Sequence, residues 1–416
     1  MGIAALSVVL AAVFAWAMVS KRLAIVSTPI FFVTLGLALS QVGGSLHLEP
    51  DPHSVKVLAE VTLVWVLFAD ASRIRLPQVR RDVGAYVRLL GVGLPLSIAA
   101  GAGLAIWLLD LDPWYALLVG AALAPTDAAL GAAVMTDRRV PTRIRQLLNV
   151  ESGLNDGIAT PVVMVAVAAI AAQEGLEGSH GAGRALVGLL VGVAVGILVG
   201  GGGAALLGRA RRRGWTTATL IGPGVLALAL LTYTAAVLVE GNGFVAAFVG
   251  GGAFGALGGG GDVDGESGGT DDAGLEFVEQ ACSVASTLAW LVFGAVAVPM
   301  LGERLSWELV LYAVSSLTLV RMLPVAVSML GTGTDRATVA FVGWFGPRGL
   351  ASIVFALIAL EELHGMVDDV VSAIGVTVLL SVVAHGLSAR PLATRYARTV
   401  ADDLPEEHAE PRVRRY

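Results

Sequence analysis

Charge is scarce in this chain of 416 residues: Asp, Glu, Lys and Arg together make up 14% of it, against about 25% in soluble domains. A soluble surface of this size needs more. One core also cannot absorb a chain in which 56% of residues are Ala, Val, Ile, Leu, Met, Phe, Trp, Tyr or Cys. The shortage excludes a soluble enzyme, a disordered chain and a nucleic-acid binder. Cysteine is nearly absent too. Cys282 is the only one, so no intramolecular disulfide can form and a packing role is expected for it. The long apolar runs lack polar/apolar alternation, which argues against a transmembrane β-barrel.

What is present is apolar sequence in span-length pieces. With about 20 residues needed to cross a bilayer, thirteen spans are expected, at 3–20, 23–42, 54–72, 85–109, 113–135, 145–172, 183–207, 216–239, 242–257, 274–300, 306–330, 336–360 and 367–389. The fold class is therefore all-α: a polytopic membrane protein with one transmembrane domain over residues 1–390 and a polar tail, 391–416, too short to fold alone. The opening MGIAALSVVLAAVFAW has no basic leader region and is read as the first span rather than a signal peptide. Placing the N-terminus outside puts 22 of the 27 Lys and Arg residues on one side, with Lys56, Arg184 and Arg304 opposite and Arg321 and Arg348 within spans. Basic residues mark the cytoplasmic side. A cell-membrane protein with a cytoplasmic C-terminus is expected.

Charge near the bilayer midplane is costly and by default functional. The fifth span holds Ala124-Pro125-Thr126-Asp127, the sixth Glu151-Ser152-Gly153-Leu154-Asn155-Asp156-Gly157, and the twelfth Gly346-Pro347-Arg348-Gly349. No other span is expected to carry ionisable groups so deep. Pro125 and Pro347 each remove a backbone N–H and clash with the preceding turn, so both helices should open there and leave carbonyls free. Half-helix ends of this kind are ready ion and counter-charge sites.

On the sixth span Ser152 and Asp156 are four residues apart and share a face, while Glu151 and Asn155 occupy the neighbouring one. A hard monovalent cation such as Na⁺ takes oxygen ligands, and Asp156, Ser152, Asp127 and the Thr126 carbonyl are the candidates. A site that holds either a proton or a cation is the minimum machinery of an antiporter. Paired carboxylates also suit acid–base catalysis. However, no GxSxG or HExxH motif is present, and the six His, at 47, 53, 180, 364, 385 and 408, lie mostly in loops. Nothing activates a nucleophile, and neither enzyme activity nor a cofactor is expected. His385 is expected to be packed or to face the cytoplasm.

In APTDAAL at 124–130, NVESGLNDGIATPV at 149–162, EGNGFVAAFVGG at 240–251 and GWFGPRGLASI at 343–353, the chain resembles the monovalent cation:proton antiporter-1 family. That group contains the NhaP-type antiporters and the eukaryotic sodium/proton exchangers, and the resemblance covers essentially the whole membrane domain. It implies a homodimer with about thirteen helices in two inverted six-helix repeats, helices 5 and 12 unwound and crossing, and an ion-carrying domain that moves against a dimerisation domain. It implies that Asp156 is the exchanging carboxylate, with Asp127, the Thr126 backbone and Ser152 completing the cation site. It also implies that Glu151 pairs with Arg348 and that Asn155 ties the unwound fifth helix through Thr126.

Relatives with a second Asp at the position of Asn155 are commonly electrogenic. The resemblance therefore implies one Na⁺ or Li⁺ for one H⁺, an electroneutral exchange serving pH homeostasis. The expected partners are thus a monovalent cation, a proton, the lipid bilayer and a second copy of the chain. K⁺/H⁺ exchange on the same fold is the alternative, with a cation channel or a transport-dead sensor as remote rivals.

Other charges allow two readings. Asp70 closes the third span on the cytoplasmic side, Glu276 and Glu279 open the tenth at the same depth, and Arg321 lies about eight residues from the cytoplasmic end of the eleventh. They form either a structural salt bridge with a snorkelling Arg or an acidic funnel that concentrates cations. The acidic Gly-rich stretch Gly258 to Gly274 is expected to be a solvated linker, and the Arg209 to Arg213 run a topology anchor.

Overall fold

A computed structural model describes residues 3–20, 27–42, 52–74, 82–176, 181–258, 268–363 and 366–402. No strand occurs among these residues, and a helix or an in-line pair of helices occupies each expected span. They are α1 (Ile3–Val19), α2 (Thr28–Gln41), α3 (Pro52–Ser72), α4 (Val83–Leu109), α5a (Pro113–Ala122) and α5b (Ala128–Met135), and α6 (Thr142–Gln173). Then follow α7 (Gly181–Arg212), α8 (Ala218–Leu238), α9 (Gly243–Gly258), α10 (Gly268–Arg304), α11a (Trp307–Leu317) and α11b (Leu319–Ser328). The last are α12a (Arg336–Trp344), α12b (Leu350–Glu362) and α13 (Asp368–Asp402).

Among the described residues α4, α6, α7, α8, α10, α11 and α13 are each long and apolar enough to cross a membrane. The halves of α5, at 10 and 8 residues, and of α12, at 9 and 13, are not. They can cross only in series, since about 20 residues are needed. α13 runs through Pro391 to Asp402, so residues 391–402, expected as tail, continue a helix. Packing accounts for this: Tyr396 stacks on Phe341 of α12a at 4.0 Å, and its hydroxyl is 2.7 Å from Thr338 Oγ1. Residues 403–416, and 259–267 of the acidic stretch, lie outside the described residues.

The helices pack in two groups. α2, α3, α7, α8, α9 and α10 pack chiefly on one another, and small residues set their spacing. Gly192, Gly196 and Gly200 recur every fourth residue on α7, where a Cβ would run into the α9 segment at Asn242, Ala246 and Gly250. Gly36 of α2 and Gly294 of α10 admit each other's helix in the same way. In lipid no hydrophobic force drives helices together, so such close backbone packing is what holds them. α1 joins this group through Trp16, which stacks on Phe31 at 4.6 Å and donates to Thr28 Oγ1 at 3.0 Å.

α4, α5, α6, α11, α12 and α13 form the second group. Its helices are less regular: α4 contains a π turn at Leu89–Gly93, and α11 breaks at Thr318, with φ −107° and ψ −84°. The groups meet where α3 passes α6 and α12b, and where α6 passes α7 and α9.

Candidate functional site

Residues 123–127 and 345–349 leave the helical conformation, at the two places where Pro and Gly weaken it. The two opened segments cross and touch. The Asp127 N–H donates to the Pro347 carbonyl at 2.8 Å. The Asp127 side chain then caps both half-helices that start at the crossing: Oδ1 accepts from Leu130 N–H at 3.1 Å on α5b, and Oδ2 from Leu350 N–H at 2.9 Å on α12b. Helix N-termini carry orphan donors and partial positive charge, so a carboxylate suits both. The fit is close enough that a Cβ at Gly349 would collide with this carboxylate.

Arg348 answers at the opposite polarity. Its guanidinium is fully buried, and Nη1 donates to the carbonyls of Ala124 at 2.7 Å and Pro125 at 3.2 Å. These belong to the segment after α5a that leaves the helix, so their carbonyls have no helical donors. The Arg348 N–H donates to Ser381 Oγ at 2.7 Å. His385 continues that chain, with Nδ1 3.2 Å from Ser381 Oγ and Nε2 2.9 Å from the Trp344 carbonyl. It is a packed histidine that braces the opened part of α12.

α6 lies against the crossing and supplies the remaining groups. Asn155 Nδ2 donates to Thr126 Oγ1 at 2.7 Å, and Ser152 Oγ donates to the Thr126 carbonyl at 2.5 Å. Asp156 sits one turn beyond Ser152. It is 7% exposed, and its Oδ1 has no hydrogen-bond partner among the described residues. Asp156, Ser152, Thr126 and Asp127 all line a cavity of about 500 Å³ that reaches the surface beside Arg73 and Glu279. Asp70 of α3 and Ser352 of α12b line it as well. Asp70 comes in close to α6, where a Cβ at Gly153 would lie 3.3 Å from its own. Ser352 is not singled out by sequence reasoning.

Two expectations are corrected. Glu151 does not pair with Arg348: its carboxylate sits on Arg321 Nη2, with oxygens at 2.7 and 2.9 Å and both side chains 3% exposed. Arg348 turns its Nη1 to the α5 carbonyls, whereas Arg321 enters from α11b beside the α12 break, so that a Cβ at Gly346 would meet its Nε. Arg321 is thus a deep charge on a span that was not expected to hold one. Nor does it join Asp70, Glu276 and Glu279. Glu279 pairs with Arg73 at 3.0 Å, Glu276 is exposed and accepts from Gln280 at 3.4 Å, and Asp70 faces the cavity.

A model of the transmembrane sodium/hydrogen exchanger family matches residues 8–395. The K(+)/H(+) antiporter NhaP of Alkalimonas amylolytica is 24% identical over 389 residues, covering 90% of this chain and 63% of that protein. The K(+)/H(+) antiporter NhaP2 of Shewanella sp. (strain MR-4) is 25% identical over 350 residues, covering 82% and 57%. This chain therefore spans about three fifths of the length of these curated relatives. The sodium proton antiporter MjNhaP1 from Methanocaldococcus jannaschii, solved at pH 8, shares the fold with a TM-score of 0.71. The two are 20% identical, over 92% of this chain and 99% of that one. With an all-helical architecture and a family match that runs through nearly its whole length, this multi-span membrane protein belongs to the sodium/hydrogen exchanger family.

Proposed function

We propose that the protein exchanges a monovalent cation for a proton across the cell membrane by alternating access, with the two ions competing for Asp156. One observation carries this: Asp156 is a carboxylate whose Oδ1 has no partner among the described residues, set in the lining of a cavity that abuts an unwound helix crossing. The Thr126 carbonyl, Ser152 and Asp127 stand beside it as further oxygen ligands, and Asp70 adds a carboxylate from α3. The metal here is the transported Na⁺ or Li⁺, a substrate rather than a resident cofactor.

The end of the molecule away from the cavity mouth supports a site closed on that side. There Lys56 of α3 binds Glu361 at 2.8 Å and Glu362 at 3.4 Å on α12b, and Arg304 of α10 binds Asp368 of α13 at 2.6 Å. Both links join one helix group to the other. The bias of basic residues assigns the cavity face to the cytoplasm, with the N-terminus outside. In this scheme the α4–α6 and α11–α13 group carries the ion, and the remaining helices form the scaffold and the homodimer contact. Helices 5 and 12 occupy corresponding places in two inverted repeats, 1–6 and 8–13.

With one exchanging carboxylate, the expected stoichiometry is one cation for one proton. Na⁺ or Li⁺ is the first assignment. K⁺ is the second, because the curated relatives carry that ion in their names. The test is a pH dye inside proteoliposomes, challenged with Na⁺, K⁺ and Li⁺ in turn. Na⁺ and Li⁺ should each move protons without a membrane current. A response to K⁺ alone would reassign the cation, a sustained current that reverses with the ion gradients would overturn electroneutrality, and silence to all three would overturn antiport.

A further inference from the structure

Hydroxyl side chains inside these helices have a standard partner, the carbonyl four residues earlier. Thr62 donates to Leu58 at 2.6 Å, Thr160 to Asp156 at 2.7 Å and Thr377 to Ala373 at 2.7 Å. At the crossing Ser152 instead reaches the Thr126 carbonyl, and Ser352 departs further. It is 1% exposed, yet its Oγ has no hydrogen-bond partner among the described residues. The residue four before it is Arg348, in the opened stretch before α12b, so no helical carbonyl is in register to receive the hydroxyl.

A buried hydroxyl without a partner is costly, and the place where Ser352 can be satisfied is the cavity it lines together with Asp156, Ser152 and Asp127. Two residues earlier, the Leu350 N–H is held by Asp127 Oδ2 at 2.9 Å, which fixes the first turn of α12b against α5. Asp156 lines the cavity from α6, and its Oδ1 likewise has no partner among the described residues. Among the described residues, Asp156 and Ser352 thus each bring a buried oxygen without a protein partner to the lining of one cavity, from two helices of the same group; Ser27, just before α2, is a third such lining residue.

We propose that Ser352 is a cation ligand, supplying a neutral oxygen from α12b opposite the Asp156 carboxylate, and that it helps set which monovalent cation is accepted. This deepens the exchange proposed above and rests on it. A neutral hydroxyl suits a hard cation of single charge, because it adds coordination without adding negative charge. It also makes both broken helices and α6 contribute to the bound ion, so occupancy would hold the three elements together.

The experiment compares Ser352→Ala and Ser352→Cys with the unaltered protein in proteoliposomes, using Na⁺ and Tl⁺ as the driving cations. Ser352→Ala should raise the Na⁺ concentration for half-maximal exchange by about three- to tenfold, the loss of one hydrogen-bond-strength contact, with the maximal rate little changed. Ser352→Cys, close in size, replaces a hard oxygen by soft sulfur and should shift the ratio of apparent affinities toward Tl⁺. A residue that only packs would leave that ratio unmoved. Unchanged Na⁺ affinity in Ser352→Ala together with an unchanged ratio in Ser352→Cys would overturn the assignment. If Ser352→Ala does not fold, the ratio in Ser352→Cys decides alone. Asp156→Asn is the reference: were it still active, the exchange site itself would be misplaced, whatever Ser352 does.

Discussion

Asp156→Asn is expected to reduce cation-driven proton movement to the level of protein-free vesicles while the purified protein stays folded. The amide keeps the size of the carboxylate but can neither hold the exchanged proton nor balance a bound cation. Little packing is disturbed, because Asp156 Oδ1 makes no hydrogen bond among the described residues. The substitution should even raise the melting temperature in detergent, since it removes a buried charge whose Oδ1 has no partner among the described residues. Residual alkalinisation or acidification on adding Na⁺ would show that another group carries the exchange.

The second large effect concerns stability. Arg321→Ala should cost about 3–5 kcal/mol, the usual consequence of stranding one member of a buried ion pair. Its partner Glu151 is only 3% exposed. The expected outcome is poor yield of monodisperse protein and a strongly lowered thermal transition. Replacing both members, Glu151→Gln with Arg321→Met, should recover most of the loss, because no bare charge remains. A normal yield and an unshifted thermal transition in Arg321→Ala would show that the Glu151–Arg321 pair does not hold this part of the fold.

The positions of the helices are legible in the sequence because a bilayer leaves so few options: each span must be apolar for about 20 residues. The two breaks are legible for a related reason. Pro125 and Pro347 sit beside charges at equal depth, and a proline in a span is felt by the backbone whatever surrounds it. Pairing is harder to read. Glu151 and Arg321 are separated by 170 residues, and either arginine could in principle have reached that carboxylate.

What decides between the two arginines is that Arg348 is engaged by the freed carbonyls of Ala124 and Pro125. That fact lives in the crossing and in no local pattern. A depth signal for Arg321 did exist. It lies seven residues from the end of the span Trp307–Ser328, about 10 Å below the face at 1.5 Å per residue, too deep for a side chain that merely snorkels at the rim. Ser352 carried no signal of its own, since a serine in an apolar helix is normally satisfied by its own backbone.

The charge arrangement at the crossing has a consequence for leakage. Asp127 stands where two helix N-termini converge, each equivalent to roughly half a positive charge, and Arg348 stands on the carbonyls that end α5a. Glu151 offsets Arg321. At the crossing, the charge left without such a counterpart is that of Asp156, while Asp70 comes from α3 in the other helix group. In the proposed cycle, a carrier with nothing bound would have to bring that bare charge past hydrocarbon, at an effective cost of several kcal/mol. A single cation or proton cancels it. In that cycle empty return strokes would be suppressed, and the carboxylate proposed to bind the ion would also prevent slippage, without a separate gate.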